Sequence, residues 1–374
     1  MTLQVRPGIL DIEAYVPGEA ELPGSGPIYK MSSNESPLGI SPAAREAYLA
    51  LASELHRYPD GGAVALRKAI AAQALGGDAD PDRIVCGAGS DELLQLLVRA
   101  YAGIGDEVLY SRHGFLVYAL AAQSVGARPV AAPEKNLRTD VDALLAHVTA
   151  NTRICFVAEP NNPTGSYIGG AELRRLREGL PENVLLVIDS AYAEYVGRPD
   201  YSDGADLVRQ YDNVVMCRTF SKIHGMAALR LGWAYCPPGV ADVLNRIRGP
   251  FNTPAPAQAA GVAAIGDKAH AAKAKAHNDH WLPWLAARVN EIGLKAHPSV
   301  ANFLLVQFPK EPKLPENPLG ADAANDFLKS RRILPRKMGG YGLADCLRIT
   351  IAEEPALKAC AQALGDFVKQ AATQ

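Results

Sequence analysis

Lys222 follows two hydroxyl residues, Thr219 and Ser221, and Arg230 stands eight residues further on. A lysine amine is the group that forms a Schiff base with an aldehyde cofactor, and hydroxyls with a planar guanidinium are the groups that hold a phosphate. A cofactor that carries both an aldehyde and a phosphate is pyridoxal phosphate, which imposes this kind of site on any protein that uses it. Gly225 and Gly232 flank the arginine and let the backbone approach closely. A Ser-Lys pair alone is an ordinary surface loop; the whole stretch from Arg218 to Trp233 is not. His224 reads as packing and not as an acid or base.

Four further pieces supply what such a cofactor needs. Gly87-Ala88-Gly89-Ser90-Asp91 lies between a strand and a helix, so Gly89, the Ser90 hydroxyl as N-cap and the Asp91 N–H would cradle an anion. His113-Gly114-Phe115 opens a helix, and Phe115 is placed to stack on a ring. Glu159-Pro160-Asn161-Asn162-Pro163 follows an apolar run, and the Asn162 amide could donate to a phenolic oxygen. Asp189 ends another apolar run; an aspartate there pairs with a protonated ring nitrogen and keeps the ring an electron sink. Tyr192, three residues on, reaches the same ring oxygen as Asn162. Each piece taken alone also has a plain structural explanation: a strand-to-helix turn, a core aromatic, a Pro/Asn turn, a capping aspartate.

These residues need a scaffold that brings strand ends together. Strands are expected at Arg83–Cys86, Glu107–Tyr110, Arg128–Ala131, Thr152–Ala158, Val184–Ile188, Val214–Arg218 and Gly232–Cys236. Helical patterns run over Ala63–Ala74, Ser90–Tyr101, Leu116–Val125, Asp140–Val148, Gly170–Leu180 and Ala205–Tyr211. This alternation predicts an α/β fold with a mostly parallel sheet flanked by helices, and such sheets bind ligands at the carboxyl ends of their strands. Residues 1–40, rich in Pro and Gly, read as an arm packing on the rest. Residues 41–250 read as a large cofactor-binding domain opened by a helix at Ser41-Pro42, and 251–374 as a smaller α+β domain. In the last, one long helix is expected over Ala257–Asn290, then strands near Asn302–Phe308 and Cys346–Ile351, with a helix at Ala321–Arg331 between them.

Composition narrows the classes. The 374 residues carry a net charge of −2, which offers no field for nucleic acid. The six cysteines are scattered singly, as expected of reduced thiols in a cytoplasm and not of a disulfide framework or zinc site. No apolar run is long enough to span a membrane, and the N-terminus lacks a signal-peptide pattern. His270, His277 and His280 read as a solvated helix face, so no metal is expected.

In order along the chain, Gly-Ser, aromatic, Asn, Asp…Tyr and Ser-Lys…Arg resemble the pyridoxal-phosphate aminotransferases of fold type I, the aspartate aminotransferase fold. Over essentially the whole chain the sequence is similar, more narrowly, to the histidinol-phosphate aminotransferase group. This rests on Pro7-Gly8-Ile9-Leu10 with Ala14-Tyr15-Val16-Pro17-Gly18, Ser33-Asn34-Glu35-Ser36-Pro37-Leu38-Gly39, Arg57-Tyr58-Pro59-Asp60, Arg248-Gly249-Pro250-Phe251-Asn252 and Asp345-Cys346-Leu347-Arg348-Ile349-Thr350. Ala88 and Ser190 depart from the usual pattern at positions away from the reacting atoms.

The resemblance implies Lys222 as Schiff-base former and proton shuttle, with Asp189 and Tyr192 beside it as catalytic residues. It implies Gly89, Ser90, Asp91, Thr219, Ser221 and Arg230 at the phosphate, with Tyr58 serving the neighbouring subunit's cofactor in a homodimer with shared sites. Arg348 and Arg336 would bind the substrate's anionic end, Tyr15 would close over it, and Asn302 is a further candidate. The implied reaction is transamination of L-histidinol phosphate with 2-oxoglutarate, giving imidazole-acetol phosphate and L-glutamate in histidine biosynthesis. An aromatic amino acid aminotransferase is the nearest alternative, with threonine-phosphate decarboxylase and a silent, pyridoxal-phosphate-binding regulator further off.

Overall fold

The strands in the middle of the chain alternate their side chains between two buried faces. In Thr152–Ala158, Ile154, Phe156 and Ala158 join one apolar cluster while Cys155 and Val157 join another. Leu185–Asp189 and Val214–Thr219 repeat the pattern, with every residue buried. Strands buried on both faces read as continuous apolar runs and need helices on either side. The computed structural model describes residues 5–6, 8–12, 19, 21–309 and 319–371.

Seven strands form the large sheet, in the order Ile84–Gly87, Gly232–Tyr235, Val214–Thr219, Leu185–Asp189, Thr152–Ala158, Glu107–Ser111, Arg128–Ala132. All neighbours are parallel except Gly232–Tyr235, which runs antiparallel to both of its partners. Each strand lies within one residue of its expected range, and the six expected helices lie within two, the ordinary uncertainty of helix ends. Parallel strands align their carboxyl ends, so Gly87, Ser111, Ala158, Asp189 and Thr219 end along one edge of the sheet.

A second, four-stranded antiparallel sheet has the order Lys295–Ala296, Phe303–Gln307, Cys346–Thr350, Arg336–Lys337. Its apolar face, including Leu304, Val306, Leu347 and Ile349, packs with Trp281, Leu285, Leu328, Leu357 and Leu364 from three helices. Tyr29–Lys30 pairs in parallel with Ile333–Leu334 and ties the N-terminal segment to this end of the molecule.

Three local expectations are corrected. The helix expected over Ala257–Asn290 is two helices, Ala255–Gly266 and Lys268–Glu291. Asp267 interrupts them because its side chain accepts from the His270 N–H and caps the second, as an aspartate does at a helix start. A further helix, Pro238–Ile247, follows Pro237; proline at a first helical position costs no hydrogen bond. Ser90 is not an N-cap: Gly89 takes that position at φ 84°, with no side-chain cap, and Ser90 is the first helical residue. The left-handed turn at Gly89 leaves the Ser90 hydroxyl free for another partner.

Close approach is absolute at Gly232, where a Cβ would lie 2.3 Å from the Ser90 nitrogen and 2.5 Å from the Gly89 carbonyl carbon. Both are backbone atoms of the Gly-Ser turn and cannot swing away. Gly232→Ala should therefore destabilise the protein by about 1–3 kcal/mol, the usual cost of overpacking, and weaken cofactor retention in parallel. Thermal melting together with absorbance of bound cofactor checks this.

Candidate active site

One cavity of about 230 Å³ opens at the carboxyl edge of the large sheet, facing the second sheet. Ser90, Asp91, Phe115, Asn162, Asp189, Tyr192, Thr219, Ser221, Lys222, Arg230, Arg336 and Arg348 all line it. Gly89 lies just behind, where an added Cβ would fall 2.4 Å from an Arg230 nitrogen, so this glycine is what lets the guanidinium reach the turn. Tyr58 is elsewhere: it is 82% exposed and stacks on Phe251 at 4.6 Å. Tyr15 lies outside the described residues.

A corner of hydroxyl, guanidinium and backbone N–H groups is built from two turns. Thr219 Oγ1 donates to Ser221 Oγ at 3.0 Å and accepts from the Ser221 N–H, while an Arg230 N–H lies 3.4 Å from Ser221 Oγ and another donates to the Ala227 carbonyl. Opposite them, the helix Ser90–Tyr101 begins with its free N–H groups and its positive dipole end. Glu92 braces the turn by accepting from the Ala88 N–H and from Asn252 Nδ2. Asn252 also reaches the Cys86 carbonyl, and Arg248 holds the Gly61 carbonyl. The Arg248…Asn252 segment is therefore a scaffold for the corner.

At the cavity floor Asp189 is buried, with Oδ2 accepting from the Tyr118 hydroxyl at 2.9 Å. Its other oxygen, Oδ1, has no hydrogen bond among the described residues. Burial raises this carboxyl from 3.8 to about 6, against the Tyr118 hydroxyl and the nearby Ala191 amide, which favour the anion. A buried carboxylate with one bare oxygen fits a cationic N–H donor such as a protonated ring nitrogen. Tyr118 itself was missed from the sequence; its position three residues after Phe115, on one helical face, was the available signal. It stacks on Phe156 at 4.4 Å and meets Phe115 edge-on at 6.0 Å, so one aromatic column fixes both the floor and the ring-facing wall.

Lys222 Nζ donates to the Ser33 carbonyl at 3.2 Å and sits 5.6 Å from the centre of the Tyr192 ring. The residue is half-buried by surface area, yet the protein packed about its amine is dense. Burial first, then the charges of Arg348 and Arg230, lower its pKa from 10.5 to about 8 against the pull of Glu35 and Asp189. The Tyr192 hydroxyl accepts from Asn34 Nδ2 at 2.9 Å, which leaves its own proton to donate. Asn34 is held in turn by Thr350 and by Asn302 Nδ2, so the segment Ser32–Asn34 forms a wall that sequence reasoning left unassigned.

Arg348 is buried, donates to the Ser32 carbonyl at 2.7 Å and to Asn162 Oδ1, and lies 5.4 Å from the Phe303 ring centre. Holding Asn162 by its oxygen turns the Asn162 amide outward as a donor. Arg336 is the register partner of Arg348 on the adjacent antiparallel strand. Like charges opposite each other in a sheet repel, so an anion between or beside the two guanidiniums would be favoured there. Tyr341 completes this wall and was not expected. Among the described residues, no group of three His, Cys, Asp or Glu is placed to hold a metal; His270 and His277 each pair with a backbone carbonyl.

A lysine, a buried carboxylate and a corner of hydroxyls with a guanidinium at the strand ends of the α/β sheet, faced by two arginines of the second sheet, define a site for amino-group chemistry. The model of the family "Aminotransferase class I and II" matches residues 27–364, and the chain belongs to that family. A histidinol-phosphate aminotransferase of Paramagnetospirillum magneticum is 58% identical over 97% of this chain and 98% of its own. The crystal structure of histidinol-phosphate aminotransferase from Sinorhizobium meliloti in complex with pyridoxal-5'-phosphate superposes with a TM-score of 0.86 at 27% identity, covering 99% of each chain. Aspartate aminotransferase from Thermus thermophilus shares the fold, with a TM-score of 0.79, 19% identity and 91% of each chain covered. The α/β architecture is thus the aspartate aminotransferase fold, as expected.

Asp189 also generates a pH dependence. Its native pKa lies above its unfolded value, so the native state holds the extra proton between about pH 4 and 6, and stability falls as pH rises through that window. A shift from 3.8 to about 6 corresponds to about 3 kcal/mol lost at neutral pH in the cofactor-free protein. Asp189→Asn should remove that slope and raise the melting temperature of the cofactor-free protein at pH 7 while abolishing activity. Melting curves between pH 4 and 7 test it.

Proposed function

We propose that this protein transfers the amino group of L-histidinol phosphate to 2-oxoglutarate, giving imidazole-acetol phosphate and L-glutamate, with pyridoxal phosphate as cofactor. The observation that carries the reading is the Arg336–Arg348 pair on adjacent strands, in the wall of the cavity that holds Lys222 and Asp189. A phosphate monoester is a dianion at neutral pH and offers two arginine forks more acceptor oxygens than a carboxylate does. Sequence identity of 49–58% to several histidinol-phosphate aminotransferases supports the same reading and its place in histidine biosynthesis.

The residues present fit the cofactor: the bare Asp189 Oδ1, the Gly89 approach and the hydroxyl corner each match one of its groups. When bound, pyridoxal phosphate supplies an aldehyde that captures the donor amine and a ring that accepts the electron pair left at Cα. Ser90, Thr219, Ser221, Arg230, the Gly89 turn and the Asp91 N–H would hold its phosphate. Asp189 Oδ1 would accept the ring N–H, and that ion pair would relieve the cost of burying Asp189. Asn162 and Tyr192 donate to the ring oxygen, and Phe115 covers one face and excludes water. Lys222 Nζ, biased toward its neutral form, would take the Cα proton of the donor and deliver it to the cofactor carbon that carried the aldehyde. Arg348 and Arg336 orient the donor by its anionic end.

The exposed side chains of Tyr48, Leu49, Leu55, Tyr58 and Phe251, with Tyr58 stacked on Phe251, support a homodimer in which Tyr58 serves the partner subunit's cofactor phosphate. The role of Tyr15 over the substrate rests on the resemblance alone. We read the chain as an arm over 1–40, a large domain over 41–250 and a small domain over 251–374. Six free, buried cysteines support a reducing, cytoplasmic setting. Among the described residues no helix is long and apolar enough to cross a membrane.

The deciding experiment adds L-histidinol phosphate, L-phenylalanine or L-threonine phosphate to the cofactor-loaded protein without keto acid and follows the cofactor absorbance and carbon dioxide. Faster conversion with histidinol phosphate is expected; equal or faster conversion with phenylalanine makes the protein an aromatic aminotransferase, and release of carbon dioxide from threonine phosphate makes it a decarboxylase. Arg336→Gln should lower kcat/KM for histidinol phosphate by about 10- to 100-fold, the worth of a charge-assisted hydrogen bond, and affect phenylalanine far less. Because the Lys222 amine must be neutral to attack the aldehyde, reconstitution of cofactor-free protein with pyridoxal phosphate should accelerate with pH around a midpoint of about 8. Lys222→Arg should show no such reaction.

A further inference from the structure

The two walls of the cavity belong to different sheets, and one small element touches both. Glu134–Lys135 and Arg138–Thr139 form a two-stranded hairpin whose tip, Asn136-Leu137, has φ 55° and 59° at its two residues. Such a turn favours Asn and Gly; a leucine in the left-handed region is unfavourable and persists only where its surroundings hold it. Leu137 is held by its side chain, which packs with Tyr341 against Leu305, Met338, Leu343 and Cys346 at the edge of the four-stranded sheet. Leu305 is the register partner of Arg348, and Met338 is two residues past Arg336.

The other end of the hairpin grips the opposite wall. Glu134 is nearly fully buried, and its Oε1 accepts from the Ser111 hydroxyl at 2.5 Å and the His113 N–H at 3.0 Å. Its Oε2 lies 2.8 Å from His113 Nδ1, which locks the loop leading to Phe115. In the middle, the Leu137 carbonyl accepts from Ser166 Oγ at 2.9 Å, and Ser166, Thr164 and Asn161 continue as a chain of contacts of 2.8 and 2.9 Å. That chain ends next to Asn162, the partner of Arg348.

We propose that the 134–139 hairpin is a strap that sets the spacing between the wall of Phe115 and Asn162 and the wall of Arg336, Tyr341 and Arg348, with Leu137 as a positioning residue for the anionic donor. Leu137 touches no reacting atom; it acts through the sheet edge beneath the arginines. Its apolar seat is what a leucine offers and what the turn by itself would not select. The inference rests on the proposed reaction only in taking the donor's anion to be bound by the two arginines.

The test is Leu137→Asn, which suits the left-handed backbone and keeps the carbonyl contact but removes the apolar seat. The strap predicts a KM for the donor raised about tenfold, with kcat, cofactor absorbance and melting temperature near those of the parent. Leu343→Ala removes the seat from the other side, leaves the hairpin sequence intact and should raise the same KM; the double variant should add little beyond either single change. Leu137→Met, which restores apolar reach, should return KM to the parent value. An unchanged KM in folded, cofactor-loaded Leu137→Asn overturns the strap, as do fully additive effects in the double variant. If Leu137→Asn does not fold, Leu343→Ala alone decides by the same KM. Measuring each variant with both histidinol phosphate and phenylalanine separates the questions: a parent enzyme that prefers phenylalanine overturns the proposed substrate, while the variant-to-parent KM ratio for the better donor still reads the strap.

Discussion

Asp189 is taken out of water at the end of a central strand with one oxygen tied to Tyr118 and the other left bare. Burying an ionised carboxylate without a full set of partners is among the costlier things a fold does. The surrounding architecture follows from tolerating it. The strand must be buried on both faces to carry the residue inward, and Tyr118 must be fixed by stacking on Phe156 to meet it. The cavity must then present the bare oxygen to a ligand that brings a positive N–H. The site is thus incomplete as a charge system until something binds, which is the electrostatic signature of a cofactor pocket.

The positive groups are distributed to match. Among the described residues, Lys222, Arg230, Arg336 and Arg348 line one cavity against two carboxylates, Asp91 and Asp189. That imbalance helps bring the lysine amine down toward neutrality and makes the pocket receptive to anions at two places, the hydroxyl corner and the paired strands. The two anion sites lie on different supports: one on turns of the seven-stranded sheet, the other on the four-stranded sheet. Their separation is a tertiary property, and the hydrogen bond from Arg348 to Asn162, together with the 134–139 hairpin, ties the second support to the first.

Much of this was legible before any fold was drawn, because the elements concerned are strongly patterned. Runs such as Thr152–Ala158 have no polar alternation and can only be strands buried on both faces or buried helix, and their length with the intervening helical periods decides for strands. Residues at their ends were therefore readable as a cluster. What failed was local capping. Ser90 carries the residue type of an N-cap, yet Gly89 took the position at φ 84°, a conformation that L side chains rarely adopt, with the Arg230 guanidinium lying where its Cβ would be. The break at Asp267 was hidden because alanines on both sides give the same helical signal.

The sequence by itself determined the chemistry: which residue is the amine, which the carboxylate, and which hydroxyls and guanidinium accompany them, since these types stand at strand ends whose order is written in the hydropathy pattern. Only the tertiary structure decided the wiring. That Tyr118 serves Asp189, that Asn34 orients Tyr192, that Arg336 lies in register with Arg348, and that Leu137 plugs the edge beneath them depend on contacts between segments far apart in the chain. Hydrophobic periodicity is a one-dimensional signal and fixes the elements; the register of a strand and the reach of a side chain across a cavity are set by packing, which no single segment encodes.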